Sequence, residues 1–361
     1  PIEDFIKFSE FTNLIISPSG KYFASEVDAE RTNGLVIIER STMKVIYTHH
    51  FGKDKYIASF DWLNEERLGI RIGTRVGTLE APRATIFYWA VNADGSKKKL
   101  LLGSLAPQRL SRSGRSISIG WNRLVDILED DENFILASIF ERTLPTVYKV
   151  NIYTGRKQKV LTMPASWGIL DSNNDIRVSH GENSKNQKVF WYRPSINDDW
   201  ETHGVYDFGK GKIIPLAFNK DDSQLIVDCS DKKNPITGLC LYEPESRSLT
   251  TLYRNETVDT LGYLWDEESD EPVGVYLGDG IDSIHWLDKK SMTSKKLRAL
   301  EKTFPGYRVN WHSWTKNQEE VVIYVHNDRD PGGFYLFNTV TNKLEDLNLS
   351  VRSWTKVDEL V

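Results

Sequence analysis

The sequence lacks most of the features that mark common classes of enzyme and membrane protein. No apolar run approaches the roughly 20 residues that a membrane-spanning helix needs. The Gly-x-Ser-x-Gly elbow of α/β-hydrolases, the phosphate loop Gly-x-x-x-x-Gly-Lys-Ser/Thr and the metal motifs Cys-x-x-Cys and His-Glu-x-x-His are all absent. A formal net charge of −5 gives no argument for nucleic acid as a partner. We therefore expect no catalytic, cofactor-binding or metal-ligating residue in this chain, and no cofactor.

Cysteine is also scarce, with Cys229 and Cys240 as the two representatives. They flank a polar turn at 230–238, in a segment that we interpret as one β-hairpin. The two residues can form a cross-strand disulfide if the register places them opposite each other; otherwise they are two small buried thiols. A disulfide would favour a periplasmic or secreted location over a cytoplasmic one. The start at Pro1 fits a removed secretory signal or a piece of a longer polypeptide, and the compartment stays open.

What the sequence does have is a repeated two-part phrase. In its first half an apolar run, a polar turn and a second apolar run follow one another, most clearly at 15–24 and 216–227. In its second half a strand-like run ends in an Asn-x-x-Thr type of turn, most clearly at 147–156 and 334–344. A period of about 40–50 residues with four short strands per unit is typical of a β-propeller.

The phrase divides the chain into seven units. We predict an all-β protein, a propeller of seven blades with four antiparallel strands each, although units three, four and six are less regular and leave six or eight blades open. The Ser/Arg/Gly-rich segment 103–124 interrupts the pattern, and we interpret it as a long connection with a strand near 116–121. The predicted organisation is a lead-in at 1–14, a propeller at 15–350 and the start of a linker at 351–361.

Several phrases resemble one known family. The run 17–24, Ser-Pro-Ser-Gly-Lys-Tyr-Phe-Ala, is similar to a blade phrase of propellers in the prolyl oligopeptidase family and in TolB-like proteins. The opening 1–6 with Phe11 resembles the lead-in of acylaminoacyl-peptidase-like members, and the segments 314–325 and 328–337 resemble their final blade. The resemblance covers nearly the whole chain, but its phrases are degenerate.

This resemblance implies a role for the chain. In the family, a C-terminal α/β-hydrolase domain of the same polypeptide carries the serine peptidase triad, and no position of this chain matches those residues. The propeller limits access to short peptide substrates and contributes to their binding. We therefore expect this chain alone to hydrolyse no peptide, and the parent polypeptide to be a serine peptidase.

Two other hypotheses remain open. A standalone TolB-like or WD-repeat-like propeller would act as a protein-interaction scaffold, with exposed aromatics such as Trp200 or Tyr307 as anchors. A propeller enzyme would need polar side chains that converge on its central channel, and Asp259, Asp282 and His312 are the candidates. We interpret three weaker signals as ordinary packing or turns: the pairs His49–His50 and His312–His326, and the possible calcium loop at 279–282.

Overall fold

The computed structural model describes residues 9–29, 32–75, 81–103, 121–128, 130–140, 144–266 and 269–355. Within these ranges the strands form seven small antiparallel sheets, six with four strands and one with three. Every sheet consists of strands that follow one another in the chain. The sheets form a ring, so the molecule is a seven-bladed β-propeller and the predicted fold class is confirmed.

The blades correspond to the repeats read from the sequence. Blades 1 to 4 contain sixteen strands in chain order: β1 (Thr12–Ile16), β2 (Tyr22–Ala29), β3 (Thr32–Glu39) and β4 (Lys44–His50); β5 (Lys55–Trp62), β6 (Arg67–Thr74), β7 (Arg83–Asn92) and β8 (Lys99–Leu102); β9 (Asn122–Asp126), β10 (Phe134–Phe140), β11 (Pro145–Asn151) and β12 (Lys157–Thr162); β13 (Trp167–Leu170), β14 (Ile176–Glu182), β15 (Lys188–Tyr192) and β16 (Glu201–Tyr206).

Blades 5 to 7 contain the remaining eleven strands and one helix: β17 (Lys212–Phe218), β18 (Leu225–Ser230), β19 (Gly238–Glu243) and β20 (Ser248–Tyr253); β21 (Thr260–Trp265), β22 (Pro272–Asp279), β23 (Ile281–Trp286) and the helix α1 (Met292–Thr303); β24 (Arg308–Trp314), β25 (Glu320–His326), β26 (Gly333–Asn338) and β27 (Leu344–Ser350).

Side chains of the repeated turns explain why the phrase recurs. In the first turn of blade 5, Asn219 Oδ1 accepts a hydrogen bond from the backbone N–H of Gln224 at 2.9 Å. In the turn between β11 and β12 of blade 3, Asn151 Oδ1 accepts from the N–H groups of Tyr153 and Thr154 at 3.1 and 2.9 Å. Such Asx turns reverse the chain by a local bond, which makes Asn and Asp the recurring residues of these turns.

The core lies between the blades. One cluster joins Leu35 and Ile37 of blade 1 to Phe60, Leu68 and Ile70 of blade 2, all of them buried. The outer strands β4, β12 and β20 are largely exposed, whereas the first strands of blades 1 and 7 contact each other. The first strand of each blade is therefore innermost, and each blade buries its apolar faces against its neighbours.

Blade 6 departs from the four-strand expectation. Among the described residues it has three strands, and α1 follows them. Ser291 caps the helix by accepting a hydrogen bond from the N–H of Ser294 at 3.1 Å. Leu297 and Leu300 are buried in the cluster shared with blade 7. The segment is rich in Lys, Leu, Arg and Ala, which favour a helix over a fourth strand.

The strand bounds can be compared with the predicted connection at 103–124 and with the predicted ends of the propeller. Residues 104–120 lie outside the described part, so the strand expected near 116–121 lies there except for Trp121, which is described outside any strand. The predicted connection 103–124 extends too far at its end, because β9 already begins at Asn122. At the ends, β1 begins at Thr12 inside the predicted lead-in, and β27 ends at Ser350.

Side chains and loop backbone close the ring between blades 7 and 1. The N–H of Ile16 donates to Ser313 Oγ at 3.0 Å. The N–H of Lys316 donates to the Pro18 carbonyl at 2.8 Å. Arg40 forms a two-pronged ion pair with Glu320, one of its bonds measuring 2.6 Å. No helix in the described part is long and apolar enough to cross a membrane.

Candidate functional site

A cavity of about 310 Å³ lies where the first strands of four blades end, and we name it the axial cavity. Its wall includes Ile16 of blade 1, Trp62 of blade 2, Ile127 after β9 of blade 3, and His312 and Trp314 of blade 7. Blades 3 and 7 are separated by two blades in the ring. A cavity that reaches both must therefore lie at the propeller axis, where channels of this fold run.

An ion pair spans the mouth of this cavity. Lys316 Nζ of blade 7 lies 3.9 Å from Glu132 Oε1 of blade 3, and the two side chains are about half exposed. Asn64 of blade 2 holds the same turn by donating from Nδ2 to the Glu132 carbonyl at 3.0 Å. An exposed pair of this kind contributes at most about 1 kcal/mol. It narrows the opening and is weak enough to separate readily.

His312 supplies the polar group most clearly available inside the cavity. Its Nε2 is buried and has no hydrogen-bond partner among the described residues. The ring packs 5.8 Å from Phe334. Burial lowers the pKa of His312 below its ordinary value, so the imidazole is neutral near pH 7. A neutral ring can donate or accept one hydrogen bond to a group that enters the cavity.

Asp61 is another polar residue of the wall. It lies on the innermost strand β5 and also lines a separate cavity between blades 2 and 3. Burial raises the pKa of its carboxyl above the usual range. Asp61 thus stands between two cavities, where its charge acts on both.

Asp259, another channel candidate named from the sequence, is not among the described residues that line the axial cavity. Asp259 accepts a hydrogen bond from the N–H of Thr237 at 2.6 Å, and this bond lowers the pKa of its carboxyl. The side chain of Asp282 lies outside the described part of the structure. Of the two candidates whose side chains are described, His312 lies in the cavity wall and Asp259 does not.

The remaining histidine signals also separate. His326 faces Arg308, which is at the opposite end of β24 from His312. Its Nε2 lies 3.1 Å from Asn310 Nδ2. His49 is buried 3.0 Å from the Tyr47 hydroxyl, while His50 is exposed. Within the described ranges, no group of three or more His, Cys, Asp or Glu side chains is arranged to hold a metal ion.

The proposed aromatic anchors are engaged within the chain. The Arg193 guanidinium lies 4.4 Å from the Trp200 ring centre, and the Tyr307 hydroxyl donates to Asp330 at 3.1 Å. Neither is fully exposed. Both therefore have packing roles, and nothing in their surroundings favours them as contacts for a partner.

The two cysteines lie on the paired strands β18 and β19, as the hairpin interpretation requires. Val227 faces Cys240 and Cys229 faces Gly238, so the cysteines are diagonal neighbours. Their Cα atoms are 6.0 Å apart with the sulfurs in contact, a spacing compatible with a disulfide. Both side chains are fully buried. The disulfide remains a prediction, which peptide mapping can test.

Apart from His312, the residues that build the axial cavity were not identified from the sequence, although the sequence contains a signal for them. Tryptophan recurs at one position of the repeat, because Trp62, Trp265 and Trp314 are each the last residue of the first strand of their blade. The same position in three repeats marks one level of the ring. Two of these tryptophans line the axial cavity.

Comparisons with known proteins agree with this architecture. No protein-family model and no curated protein matches the chain. Among solved structures, prolyl oligopeptidase B from Galerina marginata matches as the apo protein at 6% identity, over 99% of this chain and 53% of that one, with a TM-score of 0.54. A mutant of it bound to a 35mer hydrolysis and macrocyclization substrate matches at 6% identity, over 97% and 51%, with a TM-score of 0.55.

The match is to the β-propeller part of that peptidase. The chain has the fold of a prolyl oligopeptidase propeller. It spans about half the length of these solved structures. At 6% identity the likeness shows the fold alone.

Proposed function

We propose that this chain is the non-catalytic propeller domain of a serine peptidase of the prolyl oligopeptidase family, and that its axial cavity admits short peptides. The supporting observation is the fold likeness to prolyl oligopeptidase B, which extends over nearly all of this chain and about half of that one. The proposal assigns an α/β-hydrolase domain to the rest of the parent polypeptide of this chain. That domain would hold a Ser–His–Asp triad and an oxyanion hole.

In this proposal the propeller acts by size and by hydrogen bonding. A cavity of about 310 Å³ accepts an extended peptide segment and excludes a folded protein. The Lys316–Glu132 pair at its mouth separates to let the peptide pass. The neutral imidazole of His312 then offers one hydrogen bond to the peptide backbone, and Trp62 and Trp314 supply apolar contact.

The parent gene provides the direct test of the domain assignment. Reading beyond the codon for Val361 should reveal a Gly-x-Ser-x-Gly elbow, followed by Asp and His. A serine-directed fluorophosphonate should then label the full polypeptide and leave this chain alone unlabelled. A stop codon close to Val361, or labelling of this chain by itself, would overturn the proposal.

Access through the axial cavity needs its own test on the full polypeptide. Glu132→Cys, coupled to a polyethylene glycol maleimide, places bulk at the mouth, and Leu249→Cys on the exposed strand β20 is the matched control. We expect the label at 132 to lower kcat/KM for a long peptide more than for a short ester. Equal rates for the two labelled variants on both substrates would refute this route.

A further inference from the structure

A second cavity, of about 270 Å³, lies between blades 2 and 3, and we name it the inter-blade cleft. Arg71 and Tyr88 line it from blade 2, and Arg123 from blade 3. Arg123 and the neighbouring Trp167 lie at the starts of β9 and β13, whereas the axial cavity lies where the first strands end. The cleft is therefore displaced toward the opposite face of the propeller.

Arg71 is held in place by fixed acceptors. Its Nη1 donates to the Thr85 carbonyl at 3.0 Å and to Asn122 Oδ1 at 2.9 Å. Asn122 is itself fixed, since its Nδ2 donates to the Ile86 carbonyl at 2.7 Å. All these partners are neutral. The orientation of the guanidinium is thus set without a carboxylate, and its charge is not neutralised by them.

Arg123 brings a second guanidinium to the same cleft. Its Cζ lies 3.1 Å from the ring centre of Trp167, so the planar group is stacked against the indole. Its Nη1 is buried and has no hydrogen-bond partner among the described residues. A buried, unsatisfied donor on a charged group costs stability unless a ligand supplies the acceptor.

Two further groups indicate what such a ligand would meet. Tyr88 is 1% exposed, and its hydroxyl has no partner in the described part of the chain. Trp121 is 75% exposed on the lining of the cleft and offers a flat apolar surface. The cleft thus combines two guanidinium groups, one hydroxyl group and an indole ring.

The charge balance of the lining favours an anion. Asp61 is the acidic residue that lines the cleft, and it forms no ion pair with either arginine among the described residues. Two guanidinium groups face one carboxyl. Burial lowers the pKa of Arg123, and the positive charge of Arg71 lowers it further. An added carboxylate would accept from both arginines and relieve their mutual repulsion.

We propose that the inter-blade cleft binds the carboxylate of a peptide, with Arg71 and Arg123 as the recognising groups and Trp121 against the adjoining residue. The choice of a peptide as the ligand rests on the proposed function, whereas the choice of a carboxylate rests on the cleft itself. The carboxylate comes from an acidic side chain or from a free C-terminus, and the experiment separates the two sources.

Calorimetric titration of this chain tests the proposal with three N-acetylated peptides. Acetyl-Gly-Glu-Gly-amide offers a side-chain carboxylate, acetyl-Gly-Gly-Gly with a free end offers a terminal one, and acetyl-Gly-Gln-Gly-amide is the neutral control. We expect one or both acidic peptides to bind saturably and the neutral one to bind much more weakly. Equal binding of all three, or none at millimolar concentration, would overturn the proposal.

Variants locate the site and test the sign of its charge. Arg123→Gln should weaken acidic-peptide binding by about tenfold or more, as expected for loss of a hydrogen bond to a charged group. Asp61→Asn should tighten it, because a like charge is removed; weaker binding in this variant would contradict an anionic ligand. Arg329→Gln, at an exposed arginine of blade 7, should change nothing.

The outcome is readable even where a variant is unstable. Circular dichroism establishes whether Arg123→Gln is folded, and if it is not, the contrast between acidic and neutral peptides and the sign of the Asp61→Asn effect still decide. The measurement needs no catalysis. A negative result would therefore refute the role of the cleft while leaving the proposed function standing, and a missing hydrolase domain would not affect it.

Discussion

Arg67 provides the sharpest test of how neighbouring blades are held together. It belongs to blade 2 and is 0% exposed. Its Nε donates to the Ile152 carbonyl of blade 3 at 2.9 Å, its Nη1 to Asn92 Oδ1 at 2.6 Å and its Nη2 to the Lys97 carbonyl at 2.8 Å. The guanidinium also lies 4.8 Å from the ring centre of Tyr153. One side chain therefore connects two blades and two loops.

The expected cost of removing this guanidinium follows from the bonds. The bonds to Ile152 and Asn92 are buried, and that to Lys97 is partly buried, where water can replace it. Each buried acceptor left unpaired costs about 1–3 kcal/mol, and part of this is offset because the charge no longer has to be desolvated. We expect Arg67→Met to lower the free energy of unfolding by about 3 kcal/mol.

Urea unfolding of the chain, followed by tryptophan fluorescence and circular dichroism, measures this change. Arg156→Met is the matched control, because Arg156 lies exposed in the turn between β11 and β12, the same loop that contains Ile152. It should shift the free energy of unfolding by no more than about 0.5 kcal/mol. A loss below about 1 kcal/mol in Arg67→Met would refute the argument that unpaired acceptors dominate.

Three further predictions concern other parts of the ring. If Cys229 and Cys240 are joined, peptide mapping should yield a linked pair, and replacing both by Ala should lower the free energy of unfolding by about 3 kcal/mol, the value for a loop of this length. A double-mutant cycle on Arg40 and Glu320 should give a coupling of about 1 kcal/mol, and no coupling would show that packing alone closes the ring. Burial raises the pKa of Glu26 from 4.5 to about 7, so the folded state holds this proton more tightly than the unfolded state. Stability should therefore fall as pH rises through that window, and Glu26→Gln should remove this part of the pH profile in thermal unfolding; an unchanged profile would contradict it.

The repeated turn chemistry explains why the blades could be predicted from the sequence. Residues such as Asn219 and Asn151 bond to backbone within a few positions, so their effect is local and visible in the chain order. The hairpin with Cys229 and Cys240 was recognisable for the same reason. Blade 6 was harder to predict, because the strong helix formers of α1 occupy the position at which the repeat predicts a fourth strand.

The axial cavity and the inter-blade cleft could not be predicted in the same way. Glu132 and Lys316 meet across the axis from blades that are not neighbours, and only the closed ring brings them together. Arg123 falls within the segment 103–124, for which the sequence predicts a long connection, but it lies at the start of β9 and lines the same cleft as Arg71 of the preceding blade. Contacts of this kind depend on how successive blades are arranged around the ring, and the sequence of a single repeat does not reveal this arrangement.

Because each blade is a complete sheet of its own, the ring does not depend on the connection at which the chain enters and leaves it. Among the residues that the structure describes, blades 7 and 1 share no strand, and the N–H of Glu10 donates to the Val351 carbonyl at 2.8 Å. The entry and exit of the propeller thus stand side by side. A circularly permuted chain, joined there by a short linker and opened at the exposed connection 207–211 between blades 4 and 5, would keep every sheet whole.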